Sequence, residues 1–422
     1  MARARKSPTG KKNQLLRFLF ILCGALAAAL LIVSVLFVRR GRAAAGRAEL
    51  ERLMSSPWMQ EMELSREKNR FSGVFGNYTF SFTMDARMQD MAESLFRRYD
   101  PVMGVFVALD PRTGAVLAMA GRARKSDFDF DSVTRPSFLL PFIRSSDYPM
   151  ASLMKIVTAA AALEEGGFQP GSRVKCTGRE DFPGGVIRDP RWVRHGDITF
   201  SDALGFSCNP VFGRVGAGLG KRRLEKYMKK FLIGGNVGFD LPLLESAYRL
   251  ADDELEVARA ASGFGEVYIS PLHAALVAAA IANDGTMMKP FCIERVSRRD
   301  PANTALHEAR RSVLASPVGK KTARRIAQMM RLTVEKPGGT ARGGFYDKRG
   351  KYIAGDFRVA GKTGSLNGRT GAENYTWMIG FVESGQPAFA FACLVRNDEK
   401  WTIKAASFMG QFFRNYAAER RP

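Results

Sequence analysis

The chain has 422 residues, 46% hydrophobic and 25% charged, which fits a globular protein of one large or two smaller domains and excludes an intrinsically disordered one. Net charge is +23, yet residues 1–47 alone carry ten Lys/Arg and no acid, so much of the basicity flanks one segment. No helix-turn-helix, zinc finger or aromatic-basic stripe accompanies that charge, and nucleic-acid binding is not expected.

Phe18 to Val38 is an uncharged run of 21 residues, long enough to span a bilayer as a helix. A secretory signal is the rival reading, with Ala43-Ala44-Ala45 as small residues for cleavage. Its apolar core normally runs about 7–15 residues, and Arg39-Arg40 oppose processing, so a retained anchor is expected. Six cations precede the run and four follow, which leans toward a cytoplasmic N-terminus. The organisation expected is a cytoplasmic tail at 1–17, a transmembrane helix at 18–38, a charged juxtamembrane linker at 39–80 and a catalytic domain at 81–422.

Val105–Leu109 and Ala115–Met119 are apolar runs around the turn cluster Asp110-Pro111-Arg112-Thr113-Gly114, the pattern of a β-hairpin. A helical region is expected from Ser152 to about Arg331, and strands at 357–362, 375–382 and 389–395. Phe408, Phe412, Phe413 and Tyr416 recur at near-helical spacing and mark a closing amphipathic helix. The order predicts an α+β (α/β mixed) fold: one antiparallel sheet assembled from both ends of the domain, with a helical insertion. Cys23 lies in the apolar run; Cys176, Cys208, Cys292 and Cys393 form no Cys-x-x-Cys pair. Buried thiols are therefore expected in preference to disulfides, with no metal site and no cofactor.

Three motifs carry the chemistry. Ser152-Leu153-Met154-Lys155 opens a helix whose apolar face is Leu153, Ile156, Val157, Ala160 and Leu163 and whose end is Gly166-Gly167. One turn separates serine from lysine, so a neutral lysine can take the hydroxyl proton. Without that chemistry Ser152 is a helix cap and Lys155 a surface residue. A second copy, Ser65-Arg66-Glu67-Lys68, lies in a charged stretch with no apolar run behind it and is set aside. Ser207-Cys208-Asn209 falls between Ser201-Asp202, which begin a short helix, and Pro210, which opens the next. There a hydroxyl can relay a proton and an amide can hold a carbonyl, though Ser and Asn also suit a plain turn. Lys362-Thr363-Gly364 ends a strand-like segment; the lysine can attract a carboxylate, Thr363 and Ser365 add hydroxyls, and Gly364 admits a close backbone. Gly361-Lys362-Thr363 also mimics the end of a phosphate-binding loop, but Asp356 occupies the glycine position such a loop needs. Only His195, His273 and His307 are present and no Gly-x-Ser-x-Gly elbow, which argues against a Ser-His-Asp hydrolase. No carboxylate pair stands out for glycoside hydrolysis.

In that order and context, 55 and 155 residues apart, the motifs resemble those of a penicillin-binding protein transpeptidase domain. The likeness covers about residues 79–422 and extends to Ala108–Met119, His195-Gly196-Asp197-Ile198-Thr199, Ala261-Ser262-Gly263-Phe264-Gly265, Ala282-Asn283-Asp284-Gly285, Gly339-Thr340-Ala341, Trp377 and Gly380. It implies a peptidoglycan D,D-transpeptidase. Ser152 is then the nucleophile, Lys155 the base and Ser207 a relay, while Asn209 and Lys362 position the donor. Thr363 and Ser365 would bind its carboxylate, with the amides of Ser152 and Ser365 as oxyanion hole. Stem peptides are the implied substrates and β-lactams the implied inhibitors. Ser365 stands where that family more often has Thr, and 42 residues at 39–80 leave no room for a glycosyltransferase or pedestal domain. A separate membrane glycosyltransferase partner is therefore implied, with the domain on the periplasmic side of the bacterial inner membrane. The same acylation chemistry leaves a D,D-carboxypeptidase open. A β-lactamase or penicillin sensor fits less well: the Ser207-to-Lys362 stretch is long, and Glu245, Glu254 and Glu256 match no deacylating loop. An inactive cell-wall scaffold is disfavoured by the intact motifs.

Overall fold

The computed structural model describes residues 46–419 except 57, 68, 125–137, 139–140, 368–373 and 386–387. The expected membrane helix at 18–38 lies outside the described residues; among those described, no helix is long and apolar enough to cross a membrane. The chain divides into two units, residues 1–63, 74–79 and 296–307, and residues 64–73, 80–295 and 308–422. In the smaller unit Tyr78 and Arg298 both donate to Glu49, at 3.0 and 2.8 Å, tying its segments together. Every motif residue belongs to the larger unit.

That unit runs through helix α1 (Ala86–Tyr99), strands β1 (Met103–Leu109) and β2 (Val116–Ala123), helix α2 (Met154–Glu165), and short strands β3 (Arg173–Cys176), β4 (Gly185–Arg188) and β5 (Gly196–Thr199). Helices α3 (Phe200–Gly205), α4 (Asn209–Lys230), α5 (Glu254–Ser262), α6 (Pro271–Ala282) and α7 (Lys320–Glu335) follow. Strands β6 (Arg358–Asn367), β7 (Asn374–Ser384) and β8 (Ala390–Asn397) and helix α8 (Ala405–Ala418) close the chain.

The central sheet is antiparallel in the order β6-β7-β8-β1-β2, so the chain's late strands complete the early hairpin, as the sequence pattern predicts. Register places Lys362 opposite Ile379, Gly364 opposite Trp377 and Phe391 opposite Ala108. The expected closing helix is α8. Its Phe408, Phe412 and Phe413 are fully buried against Phe96, Phe106, Phe357, Phe389 and Phe391. Burial of aromatic surface on this scale is the main force holding α8 and α1 to the sheet. Helix α6, apolar on all sides and capped by Ser270, which accepts from His273 N–H at 3.1 Å, packs against β1, β7 and β8.

The segment expected to be helical from Ser152 onward is broken by small β-hairpins. β3 pairs with β5, and Arg179–Phe182 pairs with β4. These strands are four residues long, too short for alternation to stand out from the surrounding Gly and Pro. The lysine motif also differs from expectation: it sits inside β6, which continues to Asn367. The four cysteines in the described residues are all buried and free.

Candidate active site

Ser152 lies in a single 3-10 turn, Ala151–Leu153, that leads into α2. Ala151 takes φ +50°, a conformation costly for a residue with a Cβ. Two glycines make room for that turn. Gly263, at φ +94°, passes so close that a Cβ there would sit 2.3 Å from the Ala151 carbonyl oxygen, and one on Gly364 would sit 3.3 Å from Ala151 Cβ. Trp377 braces the approach by donating its indole N–H to Pro149 O at 2.9 Å.

Lys155 is wholly buried. Its Nζ lies 2.8 Å from Ser152 Oγ, 2.8 Å from Asn209 Oδ1 and 2.5 Å from Ser262 O. Burial pulls this ammonium down to about 7, against smaller opposing attractions from Asp189 and Cys208. The geometry then defines the proton inventory. A neutral amine has two N–H bonds and one lone pair. Asn209 Oδ1 and the Ser262 carbonyl can only accept, so they occupy the two N–H bonds. The protonated amine donates its third N–H to Ser152 Oγ, and once the amine is neutral its lone pair is left to receive the Ser152 proton. Such an arrangement can activate a serine as a nucleophile without histidine.

Ser207 takes φ +59°, in the tight connection between α3 and α4, as the sequence predicts. Its hydroxyl accepts from Lys362 Nζ at 2.8 Å, and the same nitrogen donates to Thr363 O at 2.8 Å. Lys362 is fully buried and its affinity for a proton is held well below the usual range, first by burial and then by the Lys155 charge. Asn209 sits at the start of α4; its side-chain N–H donates to Arg188 O at 3.1 Å, and its backbone N–H to Asp189 Oδ1 at 2.7 Å. Thr363 Oγ1 meets Thr340 Oγ1 at 2.5 Å. All three motifs therefore converge.

They surround a cleft of about 370 Å³ that exposes Ser152, Ser207, Asn209, Thr363, Gly364 and Ser365. β6 is the edge strand of the sheet, so its outer backbone can pair with an extended peptide laid along the cleft. The second Ser-x-x-Lys copy does not share this setting: Ser65 lies on a strand at Glu63–Glu67 and its hydroxyl meets that of Ser72 at 2.8 Å.

Four groups around the site escaped the sequence reading. The Ser262 carbonyl carries no side-chain signature. Lys404 lines the cleft from beyond β8, and Asp189 and His195 line it as well. His195 appears in the motif His195–Thr199, but without an indication that its ring stacks on Phe206, centroids 5.2 Å apart.

Known proteins resemble this chain in sequence and in fold. The family described as penicillin binding protein transpeptidase domain matches residues 104–415. Stage V sporulation protein D of Bacillus subtilis is 27% identical over 360 residues, covering 80% of this chain and 53% of that protein. Peptidoglycan D,D-transpeptidase PbpA of Mycolicibacterium smegmatis is 27% identical over 334 residues, 70% of this chain and 62% of that protein. The chain thus spans about half to three-fifths of the length of these relatives. Among solved structures, the D,D-transpeptidase domain of a peptidoglycan glycosyltransferase from Eggerthella lenta superposes with TM-score 0.68 at 23% identity, covering 81% of this chain and 83% of that one. The imipenem acyl-enzyme complex of penicillin-binding protein A from M. tuberculosis gives 0.67 at 22%, covering 81% and 79%. With the family matched across most of its length and the three motifs gathered at one sheet edge, the chain belongs to the penicillin-binding protein transpeptidase domain family.

Proposed function

We propose that this chain is a peptidoglycan D,D-transpeptidase that works through an acyl-enzyme on Ser152. The observation that carries the reading is the buried Lys155 amine, held by Asn209 Oδ1 and Ser262 O and 2.8 Å from Ser152 Oγ, where its neutral form can take the serine proton. Ser152 Oγ attacks the carbonyl between two terminal D-alanines as its proton passes to Lys155 Nζ. The oxyanion is held by the backbone amides of Ser152 and Ser365, near the positive end of α2. As the intermediate collapses, Ser207 relays a proton to the leaving amine, D-alanine departs and the acyl group stays on Ser152. The amine of a second stem peptide then attacks the ester, which frees Ser152 and forms the cross-link.

Asn209 and Lys362 position the donor peptide, whose terminal carboxylate meets Thr363 and Ser365. β-Lactams acylate Ser152 by presenting a strained amide in the same place. The mixed α/β domain at 81–422 would act outside the inner membrane, held by the 18–38 helix through the 39–80 linker. A membrane glycosyltransferase partner would supply the glycan. The function needs neither metal nor cofactor for the acyl transfer itself.

Labelling of the full-length protein with a fluorescent penicillin tests the nucleophile: wild type takes the label and Ser152→Ala does not. A label that persists in Ser152→Ala would overturn the assignment. Purified enzyme given a donor stem peptide and an amine acceptor should form the amide; formation of the hydrolysed tetrapeptide alone would make it a carboxypeptidase.

A further inference from the structure

Behind the Ser207-Cys208-Asn209 turn, four side chains converge that acyl transfer does not use. Cys176 ends β3, Asp189 follows β4, His195 precedes β5 and Cys208 caps α4. Their donor atoms, two thiol sulfurs, one ring nitrogen and one carboxylate oxygen, all lie within 4.8 Å of one another. Cys176, Asp189 and Cys208 are at most 3% exposed.

Three of the six donor–donor distances match tetrahedral edges, and Cys208 Sγ lies within 4.8 Å of the other three donors. Cys176 Sγ is 3.3 Å from His195 Nδ1 and 3.6 Å from Asp189 Oδ2, and His195 Nδ1 is 3.3 Å from Asp189 Oδ2. Zinc takes sulfur at about 2.3 Å and nitrogen or oxygen at about 2.0–2.2 Å, which gives tetrahedral edges of roughly 3.4–3.6 Å between such donors. Thiolate, imidazole and carboxylate together are the donor set that suits zinc, and four protein ligands close the coordination sphere. The surroundings also resemble a metal site. The outer carboxylate oxygen, Asp189 Oδ1, accepts from Asn209 N–H at 2.7 Å, which orients the ligand. The β3–β5 ladder sets Cys176 opposite Gly196, next to His195, whose ring is held against Phe206.

We propose that Cys176, Asp189, His195 and Cys208 form a structural zinc site that pins the connection carrying Ser207 and Asn209. Two of the ligands bracket that connection: Cys208 is its middle residue, and Asp189 holds the Asn209 backbone. The metal's work is positional. It fixes a loop whose Ser207 backbone is strained, so that the hydroxyl meets Lys362 and the Asn209 amide meets Lys155. The site was hidden in the sequence because its ligands are spread over 176–208 without a Cys-x-x-Cys pair.

The test uses full-length protein purified in detergent. Elemental analysis should find one zinc per chain. Chelation followed by cobalt(II) should give tetrahedral ligand-field bands and thiolate-to-cobalt charge transfer. Cys176→Ser and His195→Ala should lower metal affinity by more than the roughly 10–100-fold that an outer-shell change costs. Because these variants can also misfold, wild-type protein is stripped and refilled: penicillin labelling should slow on stripping and recover with zinc. Ser152→Ala should keep its zinc, so failure of the transpeptidase reading leaves this test intact. The proposal is overturned by wild-type protein that neither carries zinc nor gives the cobalt charge-transfer band. It is equally overturned by mass spectrometry of cell-derived protein showing Cys176 and Cys208 joined as a disulfide.

Discussion

Where α8 meets α1 and the central sheet, rings pack against rings: Phe106 and Phe412 lie 4.7 Å apart between centroids, Phe96 and Phe408 4.3 Å, and Phe389 and Phe413 5.7 Å. At the β6 edge the interior is polar instead. Two lysines are fully buried, and each of their contacts ends on one named oxygen. The aromatic layer is redundant, because Phe106, Phe389, Phe412 and Phe413 each touch two or more other rings and dispersion is not directional. The polar edge is not, since a buried donor or acceptor that loses its partner keeps its full desolvation cost. One region should therefore lose stability by degrees and the other should lose function at once.

The largest contrast comes from Lys155→Ala. Removing the base should slow acylation of Ser152 by about 10²–10⁴-fold, the usual contribution of general base catalysis. It also strips Asn209 Oδ1 and Ser262 O of their donor. Stopped-flow acylation with a chromogenic cephalosporin measures the loss; a change below tenfold would mean that another group takes the proton. Phe412→Ala makes the complementary change. It should cost about 3–5 kcal/mol in unfolding free energy, while the folded fraction acylates at the wild-type rate. Denaturant unfolding and the same kinetic assay check the two halves separately, and a large kinetic defect would show that the two regions are coupled.

What the sequence revealed follows the same division. Ser152, Lys155, Ser207, Asn209, Lys362 and Thr363 were legible because each motif holds its chemistry within four residues, at a spacing that a helix, turn or strand converts into a direction. The α8 face was legible from the spacing of its aromatics, and the sheet from the hairpin and the late apolar runs. The Ser262 carbonyl was not legible, because any residue supplies a carbonyl and only the packing of α5 aims this one. Nor was the strain at Ala151 and Ser207, which neither side chain advertises. The short strands of residues 173–199 escaped because four residues carry too little periodicity. The Cys176, Asp189, His195 and Cys208 cluster exists only once those strands pair.

A milder perturbation of the polar edge is pH. Burial lowers Lys155 from 10.5 to about 7, so the amine is neutral above that value and protonated below it. The lone pair that receives the Ser152 proton is lost on protonation. Acylation should therefore rise with pH up to about 7, gain about tenfold per unit below it, and flatten above. An unshifted lysine would keep the rate climbing to beyond pH 10, so a plateau near neutrality separates the two cases. The phenylalanine rings of the aromatic layer do not titrate, and stability measured on Phe412→Ala relative to wild type should stay constant across the same range.

The smallest expected effect sits at the polar edge itself. Trp377 is buried on β7, opposite Gly364, and its indole N–H reaches Pro149 O at 2.9 Å. The same side chain is thus aromatic packing and polar brace at once. Trp377→Phe keeps a ring and removes the donor. Losing that hydrogen bond should cost about 0.5–1.5 kcal/mol, read as a shift in denaturant midpoint. The kinetic outcome decides what the brace does. If it only adds stability, acylation by folded protein is unchanged. If it holds the Pro149–Ser152 approach in register against the strained Ala151, acylation slows several-fold while the pH plateau stays near 7, because Lys155 and its three oxygens are untouched. We expect the second result: Pro149 is three residues from the nucleophile, and a serine displaced from the Lys155 lone pair loses activation without losing the base.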